Sequence, residues 1–138
     1  MELMNPKEAR QISPLMLAYV GDSVIELKVR TRLLTEGCYR MNEVHRRAVS
    51  YVRAATQAKA YYKLETILSE EDLSIARRGR NAKSNHVRKN ADMTEYHLAT
   101  GFEAVVGYLY LIENKDLLEK VMNCLYQIIE GGEENANS

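Results

Sequence analysis

The chain has 138 residues, 46% of them hydrophobic and 28% charged, with no formal net charge. That balance suits one globular domain with a buried core and excludes a disordered or collagenous chain. No stretch approaches the roughly 18 uninterrupted apolar residues of a membrane span, and the opening MELMNPKEAR lacks the apolar centre of a signal peptide. Cys38 and Cys124 are widely separated and form no CxxC pair, which speaks against a zinc site or a disulfide framework. The expectation is a cytoplasmic protein that does not engage membranes, folded as a single domain over 1–138, with about 14–130 structured and 133–138 a disordered tail.

The zero net charge conceals a segregation. From Lys28 to Asn90 there are fifteen Lys and Arg against six Asp and Glu, so the middle of the chain is a basic band between acidic flanks.

Only two prolines occur, both near the start, and β-branched alternation is scarce, so helices carry the fold. Ser13-Pro14 has the form of an N-cap followed by a first-turn proline, and the stripe Leu15, Tyr19, Asp22, Glu26, Val29, Leu33 predicts a long helix over about 14–35, ended near Gly37. Asn42 is the expected cap of a second helix running to about Lys63. Ser69-Glu70-Glu71-Asp72 resembles a capping box and predicts a short helix with Gly79 as its stop. From Gly79 to about Ala91 no apolar period survives, which predicts an exposed basic loop. Helix is expected again over about 92–112 and 115–129, closed by Gly131-Gly132.

Two segments carry chemistry. Leu15-Met16-Leu17-Ala18-Tyr19-Val20-Gly21-Asp22-Ser23-Val24-Ile25-Glu26 is an apolar helix broken by one glycine and an adjacent carboxylate. A mid-helix glycine costs about 1 kcal/mol relative to alanine, which calls for a steric reason such as a close helix crossing. The segment from Leu98 to Leu111 repeats the pattern, with Gly101, Glu103 and Gly107 in an apolar helix. A buried carboxylate is unfavourable unless paired or holding a metal, and two hard oxygen donors suit Mg²⁺, or Mn²⁺ in its place.

Together the segments resemble the ribonuclease III family. Val20-Gly21-Asp22-Ser23-Val24 looks like its signature E-x-x-E-F-L-G-D-S-V, and Leu98 to Leu111 looks like its second acidic helix, L-A-D-x-x-E-A-x-x-G-A-x-Y-L, with about eighty residues between the acids. The departures are specific: the signature's glutamates fall at Leu15 and Ala18, and the aspartate of the second motif falls at Thr100. These variant motifs, and the absence of a following double-stranded-RNA-binding domain, are similar to the bacterial Mini-III branch.

The resemblance implies an all-α, homodimeric ribonuclease III endonuclease fold and a Mg²⁺-dependent endoribonuclease that cuts double-stranded RNA to 5′-phosphate and 3′-hydroxyl ends. Precursor large-subunit (23S) ribosomal RNA is the implied substrate, with no ribosomal-protein helper identifiable. Asp22 and Glu103 become the catalytic metal ligands, with Glu26 an added candidate and Thr100 a candidate hydroxyl donor. Leu17, Val20 and Val24 are the expected dimer contacts. His45, Arg46, Arg47, Arg53, Arg77, Arg78, Arg80, Lys83, Arg88 and Lys89 are the expected RNA contacts, reading A-form shape and phosphate charge. With half the acids gone, the chief rival is an inactive RNA-binding or ribosome-assembly relative. A nucleotide pyrophosphatase would show several clustered E-x-x-E carboxylates, a pattern this sequence does not repeat.

Overall fold

A computed structural model describes residues 3–82 and 93–136, the last five of these, 132–136, by main chain alone. Seven α-helices and a single 3₁₀ turn account for the described residues: α1 (Pro6–Arg10), α2 (Pro14–Thr35), α3 (Met41–Val52), α4 (Ala54–Lys63), the turn Leu64–Thr66, α5 (Glu70–Asn81), α6 (Met93–Leu111) and α7 (Lys115–Ala136).

Local chemistry sets the helix ends. The Ser13 hydroxyl accepts from the Met16 amide at 3.3 Å, and Pro14 opens α2. At its other end Gly37 adopts φ +98°, and the amides of Gly37 and Cys38 donate to the carbonyls of Leu34 and Leu33, both at 3.0 Å. This is a Schellman closure that a β-carbon would strain. Ser69 caps α5 through the Asp72 amide at 3.2 Å, with Glu70, Glu71 and Asp72 complementing the helix dipole.

Helix α6 is the axle. It is buried almost continuously from Leu98 to Leu109, with α2 on one side and α4 and α5 on the other. Glycines allow both approaches. A Cβ built on Gly21 would lie 1.8 Å from the Glu103 carbonyl oxygen, and one on Gly107 would lie 1.9 Å from that of Leu17, so α2 and α6 touch main chain to main chain. On the opposite side a Cβ on Gly79 would come within 2.9 Å of both the Gly101 Cα and the Ala104 Cβ.

That approach corrects the expected helix stop. Gly79 is a packing position, α5 continues to Asn81, and Arg77, Arg78 and Arg80 are helical rather than part of a loop. Lys83, Arg88, Lys89 and the rest of the expected loop lie outside the described residues, apart from its first turns. The helix expected from Asn42 to Lys63 is two. Arg53 is extended (φ −66°, ψ 156°) between α3 and α4, and α3 starts at Met41 without a side-chain cap. The carbonyls freed at the bend are taken up by side chains beyond it: the Thr56 hydroxyl donates to Ser50 at 2.6 Å and the Gln57 amide to Val52 at 2.8 Å. Helix α7 passes the expected Gly131-Gly132 stop, and α1, with Asn5 as its cap, is a helix that the apolar pattern does not announce.

A polar network ties α7 to the rest. Arg32 holds Glu130 bidentately at 2.8 and 2.6 Å and lies 4.0 Å over the Tyr126 ring, while the Tyr51 hydroxyl donates to Glu130 at 2.7 Å. The hydrogen bonds from Arg32, and then Tyr51, hold the Glu130 carboxyl below the usual range.

Candidate active site

Gly21 places its neighbour Asp22 directly over α6. At this crossing the Asp22 and Glu103 carboxyls come close enough for the Asp22 charge to act on Glu103. Asp22 faces solvent and Glu103 is partly buried. Burial first, then the Asp22 charge and hydrogen bond, push the Glu103 carboxyl up to about 9, with Glu26 adding a smaller push. Two acids thus crowd one site where burial and like charge disfavour ionising both, an arrangement that a bound cation would relieve.

The residues standing in for the missing acids show how the rest of the site is filled. Ala18 is buried, and Thr100 is buried with its hydroxyl donating to the Tyr96 carbonyl in its own helix at 3.0 Å. That bond commits the hydroxyl donor expected of Thr100 within the helix. Glu26 pairs with Arg30 at 3.3 Å while still facing the acid pair closely enough to act on Glu103.

Sequence reasoning missed Gln57. Its side chain is 2% exposed, its amide donates to the Val52 carbonyl at 2.8 Å, and its Oε1 is buried without a partner. No motif marks it, because the bend at Arg53 is what turns it inward. Two carboxyls are hard oxygen donors, which suit a divalent cation such as Mg²⁺ rather than zinc or another thiolate-seeking metal, and among the described residues no cluster of three or more His, Cys, Asp or Glu surrounds them.

The basic candidates separate by what they touch. His45, Arg46 and Arg53 are exposed, with no ion pair among the described residues. Arg47 lies 3.9 Å from Glu36, and Arg77 lies 3.1 Å from Glu70. Arg80 bonds Asn81 at 3.2 Å and sits 6.0 Å over the Tyr61 ring. Arg78 is a clamp: its guanidinium donates to the carbonyls of Arg10 at 2.8 Å and Ile12 at 3.4 Å, fastening α5 to the link between α1 and α2. Two of its N–H groups are committed to the fold while the side chain itself stays at the surface.

The expected dimer contacts also divide. Leu17 is fully buried in the chain's own core, beneath the α2 and α6 crossing, and this overturns it as a contact residue. Val20 and Val24 line a groove of about 720 Å³ together with Tyr19, Leu27, Tyr110 and Leu118. Tyr19 and Leu27 are 73% and 68% exposed, leaving an apolar ridge along α2 that solvent alone does not favour.

No described helix is long and apolar enough to cross a membrane.

Residues 15–114 match the Ribonuclease III domain family. The chain is 44% identical to a Mini-ribonuclease 3 of Symbiobacterium thermophilum over 96% of its own length and all of the relative's. It is 40% identical to the Mini-ribonuclease 3 of Enterococcus faecalis, covering 93% of this chain and 99% of that one. A crystal structure of a Fusobacterium nucleatum protein superposes with a TM-score of 0.76 at 30% identity, over 86% of this chain and 94% of that one. With the paired acids at the glycine crossing and an all-helical fold, these matches establish that the chain belongs to the ribonuclease III family, among its Mini-ribonuclease 3 members, and is an endoribonuclease.

Proposed function

We propose that this endoribonuclease cleaves double-stranded RNA as a Mg²⁺-dependent homodimer in the cytoplasm, maturing the ends of precursor large-subunit ribosomal RNA. The observation that carries the reading is the meeting of the Asp22 and Glu103 carboxyls at the Gly21 and Gly107 crossing, where rigid main-chain packing holds both acids. Asp22 and Glu103 would hold the cation, with Glu26 one helical turn away on the solvent side. A divalent cation held by these residues would supply a lowered pKa for an attacking water and charge compensation at the leaving oxygen.

The protein's own part is placement. The main-chain contact of α2 and α6 fixes where the two acids stand, and Glu103 would bind a cation as the carboxylate. Exposed His45, Arg46 and Arg53 on α3 and the bend, together with Arg47, Arg77 and Arg80 after exchange of their surface partners, supply phosphate contacts. Lys83, Arg88 and Lys89, outside the described residues, are proposed as further phosphate contacts. Because A-form RNA exposes phosphates and 2′-hydroxyls, such a surface selects the duplex by shape.

A second copy of the chain is the proposed cover for the α2 ridge, through Tyr19, Val20, Val24 and Leu27, because a two-fold contact places the same apolar strip on both sides of one interface.

The test is incubation of long duplex RNA with the purified protein, with Mg²⁺ or with chelator, mapped to the nucleotide. Cleavage with Mg²⁺ that disappears in Asp22→Asn, with duplex binding kept, is the expected result. Duplex that is bound but stays intact with Mg²⁺ would transfer the chain to the non-cleaving, RNA-binding reading.

A further inference from the structure

Helix α7 serves two grooves. Leu118 and Glu119 line the apolar one beside α2, where Glu119 pairs with Lys28 at 3.5 Å. Lys120, Asn123 and Gln127 turn the other way and line a second groove, of about 530 Å³, against Lys59, Tyr62 and Lys63 of α4.

Three ammoniums meet in this second groove, and no carboxylate lines it. All three lysines are exposed and make no ion pair among the described residues. Lys59 and Lys63 stand one turn apart on α4, a spacing at which like charges repel and disfavour the helix. Lys63, in the last turn, has the helix dipole to offset this, but Lys59 does not. An anion in the groove would relieve the repulsion, and Glu119, the acid next to Lys120, is drawn to Lys28 on the far side of α7. The lysines also surround an aromatic ring. Tyr62 is 62% exposed and stands perpendicular to the buried Tyr61 ring, with centroids 6.0 Å apart.

The groove lies away from the features described above. Gln57 is on the buried side of α4, and Lys59, two residues later, is turned from it by about 200°. The body of α7 separates the groove from the apolar ridge of α2, and none of the groove's residues belongs to the phosphate contacts on α3, the bend and α5.

Because the chain is an endoribonuclease, RNA is the polyanion it meets. A duplex offers phosphates but hides its base faces, whereas an unpaired strand offers both. Lysines are point charges that follow a backbone without fixed geometry, an exposed ring stacks on any base, and the Asn123 and Gln127 amides donate and accept at base edges. We infer that the groove between α4 and α7 binds single-stranded RNA, the unpaired flank of a substrate whose duplex lies elsewhere on the protein. The duplex half of that statement rests on the proposed function; the single-strand half stands on the groove. Lys120 falls outside the basic band of the sequence, so only the packing of α7 on α4 brings the three charges together.

The test uses the full chain and an oligouridylate of about a dozen nucleotides, which forms no duplex, with binding read by fluorescence anisotropy. Lys59→Gln, Lys63→Gln and Lys120→Gln are combined; the side chains are exposed, so the helical spectrum should not change. The expected result is an affinity lower by about tenfold or more, with the slope of log affinity against log salt reduced by roughly two. Tyr62→Leu should weaken binding about tenfold and leave the slope alone. The triple variant should bind and cleave blunt duplex RNA as wild type does.

Wild type that does not bind the oligouridylate, or a triple variant with unchanged affinity and slope, overturns the inference. An equal loss on blunt duplex also overturns it, by making the groove part of the duplex surface. So does polyglutamate that binds as tightly through the same lysines, which would assign the groove to an acidic protein segment. Wild type that leaves duplex intact while the oligouridylate results come out as expected would refute the proposed function and uphold the groove as a single-strand site.

Discussion

Gly21 lies so close to Glu103 that a Cβ on the glycine would stand 1.8 Å from the glutamate's carbonyl oxygen. The residue after Gly21 is Asp22, so the crossing that brings two main chains together also brings the two acids together. Packing and chemistry depend on the same point.

Gly107→Ala tests that dependence. Alanine favours an exposed helix by about 1 kcal/mol over glycine, yet here its methyl would meet the Leu17 carbonyl at 1.9 Å. The obstructing atoms are main chain and cannot swing aside, so α2 and α6 must separate. A decrease of about 3 kcal/mol or more in urea denaturation is expected, with cleavage abolished in whatever protein remains folded.

Glu103→Gln should abolish cleavage and stabilise the cation-free fold. The folded carboxyl lies near 9, raised by burial and by Asp22. Because that value exceeds the unfolded one, the contribution of Glu103 to stability is full below the ordinary carboxylate range and is lost as pH rises toward 9. Gln carries no such penalty. Its advantage, measured by denaturation in chelator, should be near zero at pH 4 and about 1–3 kcal/mol at pH 7. A gain independent of pH would show that the acids do not interact as described.

The Arg32, Glu130 and Tyr51 network gives the opposite sign. Glu130 has a lowered folded value, so its contribution is present above the ordinary carboxyl range and is lost as pH falls through the folded value. Glu130→Gln should cost about 1–3 kcal/mol at pH 7 and much less near pH 3, read from urea midpoints at the two pH values.

Leu27→Asp places a charge on the apolar ridge without touching the core, since Leu27 is 68% exposed. In sedimentation velocity it should convert a dimer to a monomer with an unchanged helical spectrum. Leu17→Ala makes a useful contrast, because Leu17 is fully buried and its truncation should act on stability, by about 2–5 kcal/mol.

Arg46→Ala with Arg53→Ala should weaken duplex binding at low salt and reduce the slope of log affinity against log salt by roughly one for each phosphate no longer neutralised. Arg78→Ala should leave that slope alone and lower the melting temperature, because its guanidinium holds the carbonyls of Arg10 and Ile12.

The sequence alone marked the long helices α2 and α6, the start of α5 and the two segments in which glycine stands near an acid. Ser13-Pro14 and Ser69 are local capping signals that act through the nearest turn, and the two Gly-and-acid helices announce a close crossing because nothing else justifies glycine there. Directions are harder to read. Helices α2 and α6 are apolar around most of their circumference, so their pattern carries no mark of which side meets the chain's own core and which meets solvent. Leu17 therefore reads as an outward residue although it points in, and Gly79 reads as a stop although it is a seat for α6. Likewise, the bend at Arg53 depends on side chains reaching back from Thr56 and Gln57, and no residue pattern before it signals a break. Tertiary structure decided those points, because the facing of a residue, the fate of an Arg and the burial of Gln57 are set by neighbours distant in sequence, whereas caps and periodicity are set within a turn or two.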